Sequence, residues 1–167
     1  MPTSVMPVVS NTSPLCNLAI IDRLEILRRQ FGVLALPSGV QLELDRLSHA
    51  AARARLTAAF RDGWLQVTPL AIAIPSALAA TLDPGETEAL ALALQMNASL
   101  VLLDETAARL QATRLGLAHA GVLGILRGAK ISGEITSLAD ETRKLRAEAR
   151  FFVSPALEKK LLASVGE

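Results

Sequence analysis

Short, purely apolar runs that alternate with helix-forming segments limit most strongly how this chain can fold. Residues 100–103 read L-V-L-L and have no polar side. This is typical of a central strand in a parallel sheet whose two faces are both covered. Similar runs occur at residues 5–10 and 31–36, and helix start signals follow each of them. The alternation predicts an α/β fold in which helices cover both faces of a parallel sheet.

The same pattern predicts the individual elements. The predicted strands are residues 5–10, 31–36, 64–67, 100–103 and 117–120. The predicted helices are residues 13–20, 23–30, 38–47, 50–62, 83–97, 105–115, 122–130, 135–150 and 155–163, with a loop and a short helix in 69–80. Helix-capping signals occur at Ser13, Ser38 and Ser154, and as a capping box at Asp83 with Glu86. The 167 residues predict one domain over 1–167, with the helix at about 155–163 packing on it.

Composition excludes several classes of function. The net charge of +1 argues against general polyanion binding, and 3% aromatic residues argue against an extended base-stacking surface. Any nucleic-acid contact would come from local Arg and Lys side chains and a metal. The chain has no run of ~20 apolar residues and no signal peptide pattern, and Cys16 is its single cysteine. These features predict a cytoplasmic protein without a membrane segment.

The polar residues that follow predicted strands are the candidate site, because active sites of parallel sheets form at the carboxyl ends of the strands. Carboxylates that meet at one point repel each other unless a hard cation holds them, and oxygen ligands suit Mg²⁺ or Mn²⁺. A cation held there could activate water and stabilise charge on a phosphodiester. The residues at or near these positions are Asn11, Thr12, Ser13, Glu43, Glu86, Asp104 and Glu105.

Each of these residues also has a local structural interpretation. Ser13 could be only an N-cap, and Glu86 could serve only the capping box. Asp104 could cap the helix that follows it. Glu43 could pair with Arg46 on a solvated helix face. The combination of their positions and spacings favours a shared site.

Three segments resemble PIN domains. They are V-V-S-N-T-S-P-L at residues 8–15, L-D-P-G-E-T-E-A-L-A-L-A at 82–93, and L-V-L-L-D-E at 100–105. They are most similar to the branch of bacterial PIN-like proteins whose first strand ends in S-(N/D)-T-S-P-L. Residues 121–133 and 151–157 also resemble that branch, so the likeness covers nearly the whole chain.

The resemblance implies a PIN-like three-layer α/β/α sandwich with a central parallel sheet of about five strands. It also implies a Mg²⁺- or Mn²⁺-dependent endoribonuclease that hydrolyses RNA phosphodiesters. Many such proteins are VapC-type toxins held inactive by a small antitoxin. The expected partners are therefore RNA and a small antitoxin-like protein. The hydrophobic share of 51% further predicts an apolar helix surface for a partner or a homodimer.

The family's functional positions can be carried over one by one. Its metal-binding and catalytic positions fall on Asn11, Glu43, Glu86 and Asp104, and its hydroxyl falls on Thr12 or Ser13. Glu88 is the second choice for the third acidic position, and Glu105 stands beside the fourth.

Asn11 departs from the nuclease pattern, which has Asp at this position. An amide oxygen can still bind Mg²⁺, but it carries no charge, so the site binds a cation more weakly. Two hypotheses follow. The chain is a metal-dependent endoribonuclease, or it is a catalytically weak or inactive PIN-like domain that acts by binding a protein.

Overall fold

Five short parallel strands form one sheet at the centre of the fold. The computed structural model describes residues 6–167. Within this range the strands are β1 (Val8–Ser10), β2 (Leu34–Leu36), β3 (Leu65–Val67), β4 (Leu100–Leu102) and β5 (His119–Ala120). Their order across the sheet is β3-β2-β1-β4-β5, and all neighbours are parallel. The predicted α/β/α sandwich with a five-stranded parallel sheet is confirmed.

Helices connect and cover the strands. In the described range they are α1 (Thr12–Ile20), α2 (Glu25–Phe31), α3 (Ser38–Asp45), α4 (Ala50–Arg61), α5 (Ser76–Ala79), α6 (Pro84–Gln95), α7 (Thr106–Arg114), α8 (Val122–Ile131), α9 (Leu138–Glu148) and α10 (Pro155–Ala163). None of the helices in residues 6–167 is long and apolar enough to span a bilayer.

Alternate strand residues enter two hydrophobic cores on opposite faces of the sheet. Val8 and Leu102 belong to the larger core, which also includes buried residues of α1 to α4 and of α8 to α10. Val9, Val101 and Leu103 belong to the smaller core, which includes buried residues of α5, α6 and α7. Because both faces are covered, the strands need apolar residues on both sides, and this explains the unbroken apolar runs in the sequence.

The strand register brings the carboxyl ends of the central strands to one edge. Val9 pairs with Ala35 and Ser10 pairs with Leu102. The N–H of Asn11 extends the ladder by donating to the carbonyl of Leu102 at 3.0 Å. The prediction that Ser10, Leu36 and Leu103 end at the same edge is therefore confirmed.

Several predicted boundaries were wrong, most clearly in the first two strands. β1 begins only at Val8, after Pro7, which has no N–H for a sheet ladder. The predicted first residue, Val5, lies outside the described residues. The predicted strand at 31–36 begins at Leu34, because α2 continues through Phe31 and ends at Gly32, whose φ is 72°. Such a positive φ suits glycine and ends a helix.

Two of the predicted helix caps were also wrong. The residue before α1 is Asn11, so Ser13 lies inside the first turn, and Ser38 is likewise the first residue of α3. The strand ladder explains the first case, because it continues to Asn11 and the helix starts directly after it. The Ser13 hydroxyl is thereby available to a distant partner.

The other two predicted caps are confirmed, while the helix ends differ by a few residues. Asp83 and Glu86 form the capping box of α6, and Ser154 accepts the N–H of Leu157 at the start of α10. The helix predicted at 135–150 is the shorter α9, because Ser137 caps it by accepting the N–H of Asp140.

The start of α9 is held by the side chain of Glu167. This carboxylate accepts the N–H groups of Leu138 and Ala139 at 2.8 Å each, and it lies 2.9 Å from Lys130 Nζ. The Ala139 N–H first, and Lys130 next, lower the pKa of Glu167 to about 2. The negative charge of Glu167 therefore stabilises the packing of α9.

We expect Glu167→Gln to lower the melting temperature near neutral pH by roughly 2–4 °C. The pKa of Glu167 is lower in the folded chain, so its contribution is present above the ordinary pKa of 4.5 and is lost as pH falls towards 2. Thermal melts of both proteins across this range measure the effect. Glu148→Gln, at an exposed position, is the control. If the difference in melting temperature between the wild type and Glu167→Gln stayed constant down to the lowest pH, the charge of Glu167 would not be its cause.

Candidate active site

Asp104, two residues beyond β4, is held by donors from two helices. Its Oδ2 accepts the Ser13 hydroxyl at 2.7 Å and the Asn17 amide at 3.3 Å, both from α1. Its Oδ1 accepts the N–H of Val122 at the start of α8, at 2.8 Å. The local interpretation of Asp104 as a helix cap is wrong, because Glu105 occupies the N-cap position of α7.

A second group of polar side chains lies after β1 and against the start of α6. Thr12 donates its hydroxyl to Glu43 Oε2 at 2.5 Å. A Cβ added to Gly85 would lie 2.5 Å from Glu43 Oε1 and 3.4 Å from Asn11 Oδ1, so both oxygens face this glycine. The carboxylate of Glu43 is thus bonded to Thr12, and the ion pairs within residues 6–167 do not include one between Glu43 and Arg46.

Asn11 has the least satisfied polar atom of the site. The residue is 5% exposed, and its Oδ1 has no hydrogen-bond partner in the described part of the chain. A buried acceptor without a donor costs free energy, so such atoms usually bind water or an ion. The position of Oδ1 beside Glu43 therefore favours a cation or a water at this point.

Glu86 is close to this group but is engaged in its capping box. It is 5% exposed, and its Oε2 accepts the N–H of Asp83 at 3.2 Å. Burial is the main cause that raises the pKa of Glu86; the negative charges of Asp83, Glu105 and Glu43 add to it, and the Asp83 N–H opposes it. Glu86 therefore combines the structural role with a position near Glu43 and Glu105.

Glu88, the second choice for the third acidic position, has a structural partner. Its Oε2 accepts the N–H of Gly39 in the first turn of α3, at 3.0 Å. A Cβ on Gly39 would clash with this carboxylate, so the glycine permits the close approach. This contact joins α6 to α3 and favours Glu86 over Glu88 as the site residue.

Sequence reasoning missed two residues that shape the site. Asn17 is buried and donates to both Ser13 Oγ, at 3.1 Å, and Asp104. Its spacing of four residues from Ser13, which places both on one helix face, could have indicated it. Gly85 was seen only as part of a motif, although its missing side chain makes room for Glu43 and Asn11.

The oxygen donors stand in two neighbouring groups, one around Glu43 and one around Asp104. Over residues 6–167, no three His, Cys, Asp or Glu side chains are placed so that they could hold a metal ion together. The unpartnered Asn11 Oδ1 and the adjacent Glu43 Oε1 are nevertheless the type of ligand that a hard cation prefers, because both are oxygens. With one charge between the two ligands, the residues fit a weakly held Mg²⁺ or Mn²⁺.

The chain belongs to the PIN domain family. The model of the DUF3368 family, described as a PIN domain, matches residues 7–167. The family confirms the resemblance seen in the sequence and gives the chain a fold that is generally that of a nuclease and commonly binds RNA. The narrower likeness to the S-(N/D)-T-S-P-L branch stays a prediction. A comparison with curated proteins finds no significant match.

We expect Gly85→Ala to weaken Mn²⁺ binding by about tenfold, an effect typical of disturbing a metal ligand's support. The new methyl group would displace Glu43 Oε1 and break its alignment with Asn11. Alanine favours helix at this position, which offsets part of any loss of stability. Calorimetric titration with Mn²⁺ and a thermal melt measure the two effects.

The control for this experiment is Gly128→Ala in α8, where the nearest atom to the added Cβ is 3.5 Å away. It should leave Mn²⁺ binding unchanged. Equal Mn²⁺ affinities for the wild type and Gly85→Ala would show that the Glu43 position at Gly85 does not matter for the cation.

Proposed function

We propose that this protein is a Mg²⁺- or Mn²⁺-dependent endoribonuclease that hydrolyses RNA phosphodiesters. The observation that carries the proposal is the buried, unpartnered Asn11 Oδ1 beside the carboxylate of Glu43. It lies at the carboxyl edge of a parallel sheet, where such folds bind ligands. Membership of the PIN domain family supports the same reaction class.

The residues divide into ligands and groups that orient them. Asn11 and Glu43 are the first ligands, with Asp104 and Glu86 as the further acidic residues of the site. Thr12 and Ser13 fix the Glu43 and Asp104 carboxylates by donating hydroxyl hydrogen bonds. A bound divalent cation supplies activation of water and stabilisation of negative charge on the phosphodiester.

Purified protein should cleave single-stranded RNA with Mn²⁺ and lose this activity with EDTA. Glu43→Gln should slow cleavage by at least about tenfold, because it removes the one charge beside Asn11 while keeping an oxygen that accepts from Thr12. Glu148→Gln, an exposed residue at the end of α9, is the matched control. Cleavage that is unaffected by both EDTA and Glu43→Gln would disprove the proposed site.

Asn11→Asp should tighten Mn²⁺ binding by about 1–3 kcal/mol, an estimate scaled from the strength of a hydrogen bond to a charged group. It should also lower the melting temperature of the metal-free protein, because a new carboxylate at the buried position 11 would face that of Glu43. Calorimetric titration and melts with and without Mn²⁺ test both effects. If the two proteins bind Mn²⁺ equally, Asn11 is not a ligand.

The biological role we propose is that of a toxin in a toxin–antitoxin pair. Its support is the S-N-T-S-P-L segment and its resemblance to VapC-type proteins. The proposed partners are a small antitoxin-like protein and a second copy of the chain. Leu42 and Leu110, which are exposed on α3 and α7, support an apolar contact surface. A small neighbouring reading frame whose product binds the chain and suppresses cleavage would support this role.

The alternative is a catalytically weak PIN domain that acts by binding a protein. The specific observation that favours it is the uncharged amide at position 11, which leaves the site with less negative charge. The Asn11→Asp protein separates the two functions. Cleavage gained only in that variant would favour the alternative, whereas cleavage by the wild type favours the enzyme.

A further inference from the structure

A groove of about 460 Å³ extends from Asp104 towards α10. It is lined by residues of α7, β5, α8 and α10, and by the segment between α9 and α10. The lining includes Arg109, His119, Phe151 and Phe152. Its volume lies within the range of small-ligand sites. The groove therefore joins one carboxylate of the proposed active site to a cation and two aromatic rings.

Arg109 brings positive charge to this groove. It is exposed on α7, and it takes part in none of the ion pairs formed within residues 6–167. Burial first, and Arg109 second, lower the pKa of the neighbouring His119, which disfavours its charged form. Arg109 is thus the positively charged side chain of the groove that is available to a phosphate.

Phe152 presents an unusually exposed aromatic surface. It is 83% exposed, whereas Phe151 beside it packs against the larger core. Phe151 is partly buried against that core, and the next residue, Phe152, lines the groove with its ring exposed. An exposed ring in such a position offers a face on which an unpaired base can stack, irrespective of the base's identity.

We propose that this groove binds single-stranded RNA, with Arg109 contacting a backbone phosphate and Phe152 stacking on one unpaired base. The substrate class rests on the proposed nuclease function. Both residues are positioning residues: they place the adjoining phosphodiester next to Asp104. Only one ring is freely exposed in the groove, which agrees with the expectation from composition that the chain has no extended stacking surface.

The groove favours RNA over a peptide for two reasons. Asp104 is part of its lining, so a strand bound along the groove reaches the site where cleavage is proposed. It also combines a cation with a flat aromatic face, which is the combination that binds backbone and base in single strands. A protein partner remains an outcome of the test below.

Binding is measured with a labelled single-stranded RNA of about 12 nucleotides, a length in the range of single-strand sites. EDTA is present, so binding is separated from cleavage. Phe152→Ala should weaken binding by about fivefold or more. Arg109→Gln should weaken it several-fold and reduce the slope of log K against log salt by about 0.7, as one lost phosphate contact predicts. A duplex of the same sequence should bind more weakly, because its bases are paired.

Each of the two variants, Arg109→Gln and Phe152→Ala, has a matched control. Arg114→Gln removes an Arg from the same helix outside the groove, and Ile131→Ala removes an exposed apolar side chain at the end of α8. Both should bind RNA as the wild type does, and thermal melts should show that all four variants fold. With cleavable RNA and Mn²⁺, Arg109→Gln and Phe152→Ala should raise KM more than they lower kcat.

The outcomes separate this inference from the proposed function. Binding that depends on Arg109 and Phe152, without any cleavage, supports the groove and disproves only the nuclease. Cleavage with KM unaffected by either variant overturns the groove and leaves the nuclease standing. Failure to bind the oligonucleotide, or equal losses in the variants and their controls, overturns the inference. So does a chain that self-associates through Phe152 and binds no RNA.

Discussion

The carboxylate of Asp104 connects the central strand to two helices, and much of the site's geometry depends on it. Its two oxygens accept one N–H from α8 and two side-chain donors from α1. Hydrogen bonds to a charged acceptor are stronger than neutral ones, so these contacts fix where α1 and α8 start relative to β4. Gly121 permits the approach, because a Cβ there would lie 2.9 Å from Asp104 Oδ1. Asp104 is therefore needed by the fold as well as by a metal site, and its presence alone is weak support for catalysis.

The sheet, and the edge at which its central strands end, could be predicted because their signals are local. A run such as L-V-L-L is apolar on both sides only when both faces are buried, and a strand followed by a helix start places polar residues at one edge. Boundaries and caps were less predictable, because distant residues decide them. The local sequence predicts that Ser13 caps α1. Its hydroxyl instead donates to Asp104, which is 91 residues away along the chain.

The assignment of the site residues stays a prediction, and their roles depend on contacts that the sequence does not show. The family resemblance named Asn11, Glu43, Glu86 and Asp104, but the direction of each carboxylate depends on its packing. Glu86 turns back to the N–H of Asp83. The groove had no sequence signal at all, because Arg109 and Phe152 are ordinary residues of separate segments and only the fold brings them to one cavity.

The uncharged side chain of Asn11 would couple the binding of the cation to the binding of RNA. Without a carboxylate at this position, the metal-free cleft has less internal repulsion than it would have with Asp. The same change removes part of the attraction for Mg²⁺. A phosphate of bound RNA brings negative charge to the same edge and can replace the charge that Asn11 lacks. Under the proposed function, RNA and the cation should therefore each tighten the binding of the other, and by the same factor, because coupling between two sites is reciprocal. Under the same proposal, the amide would make cation binding depend on bound RNA, whereas a carboxylate at position 11 would hold the cation before RNA binds.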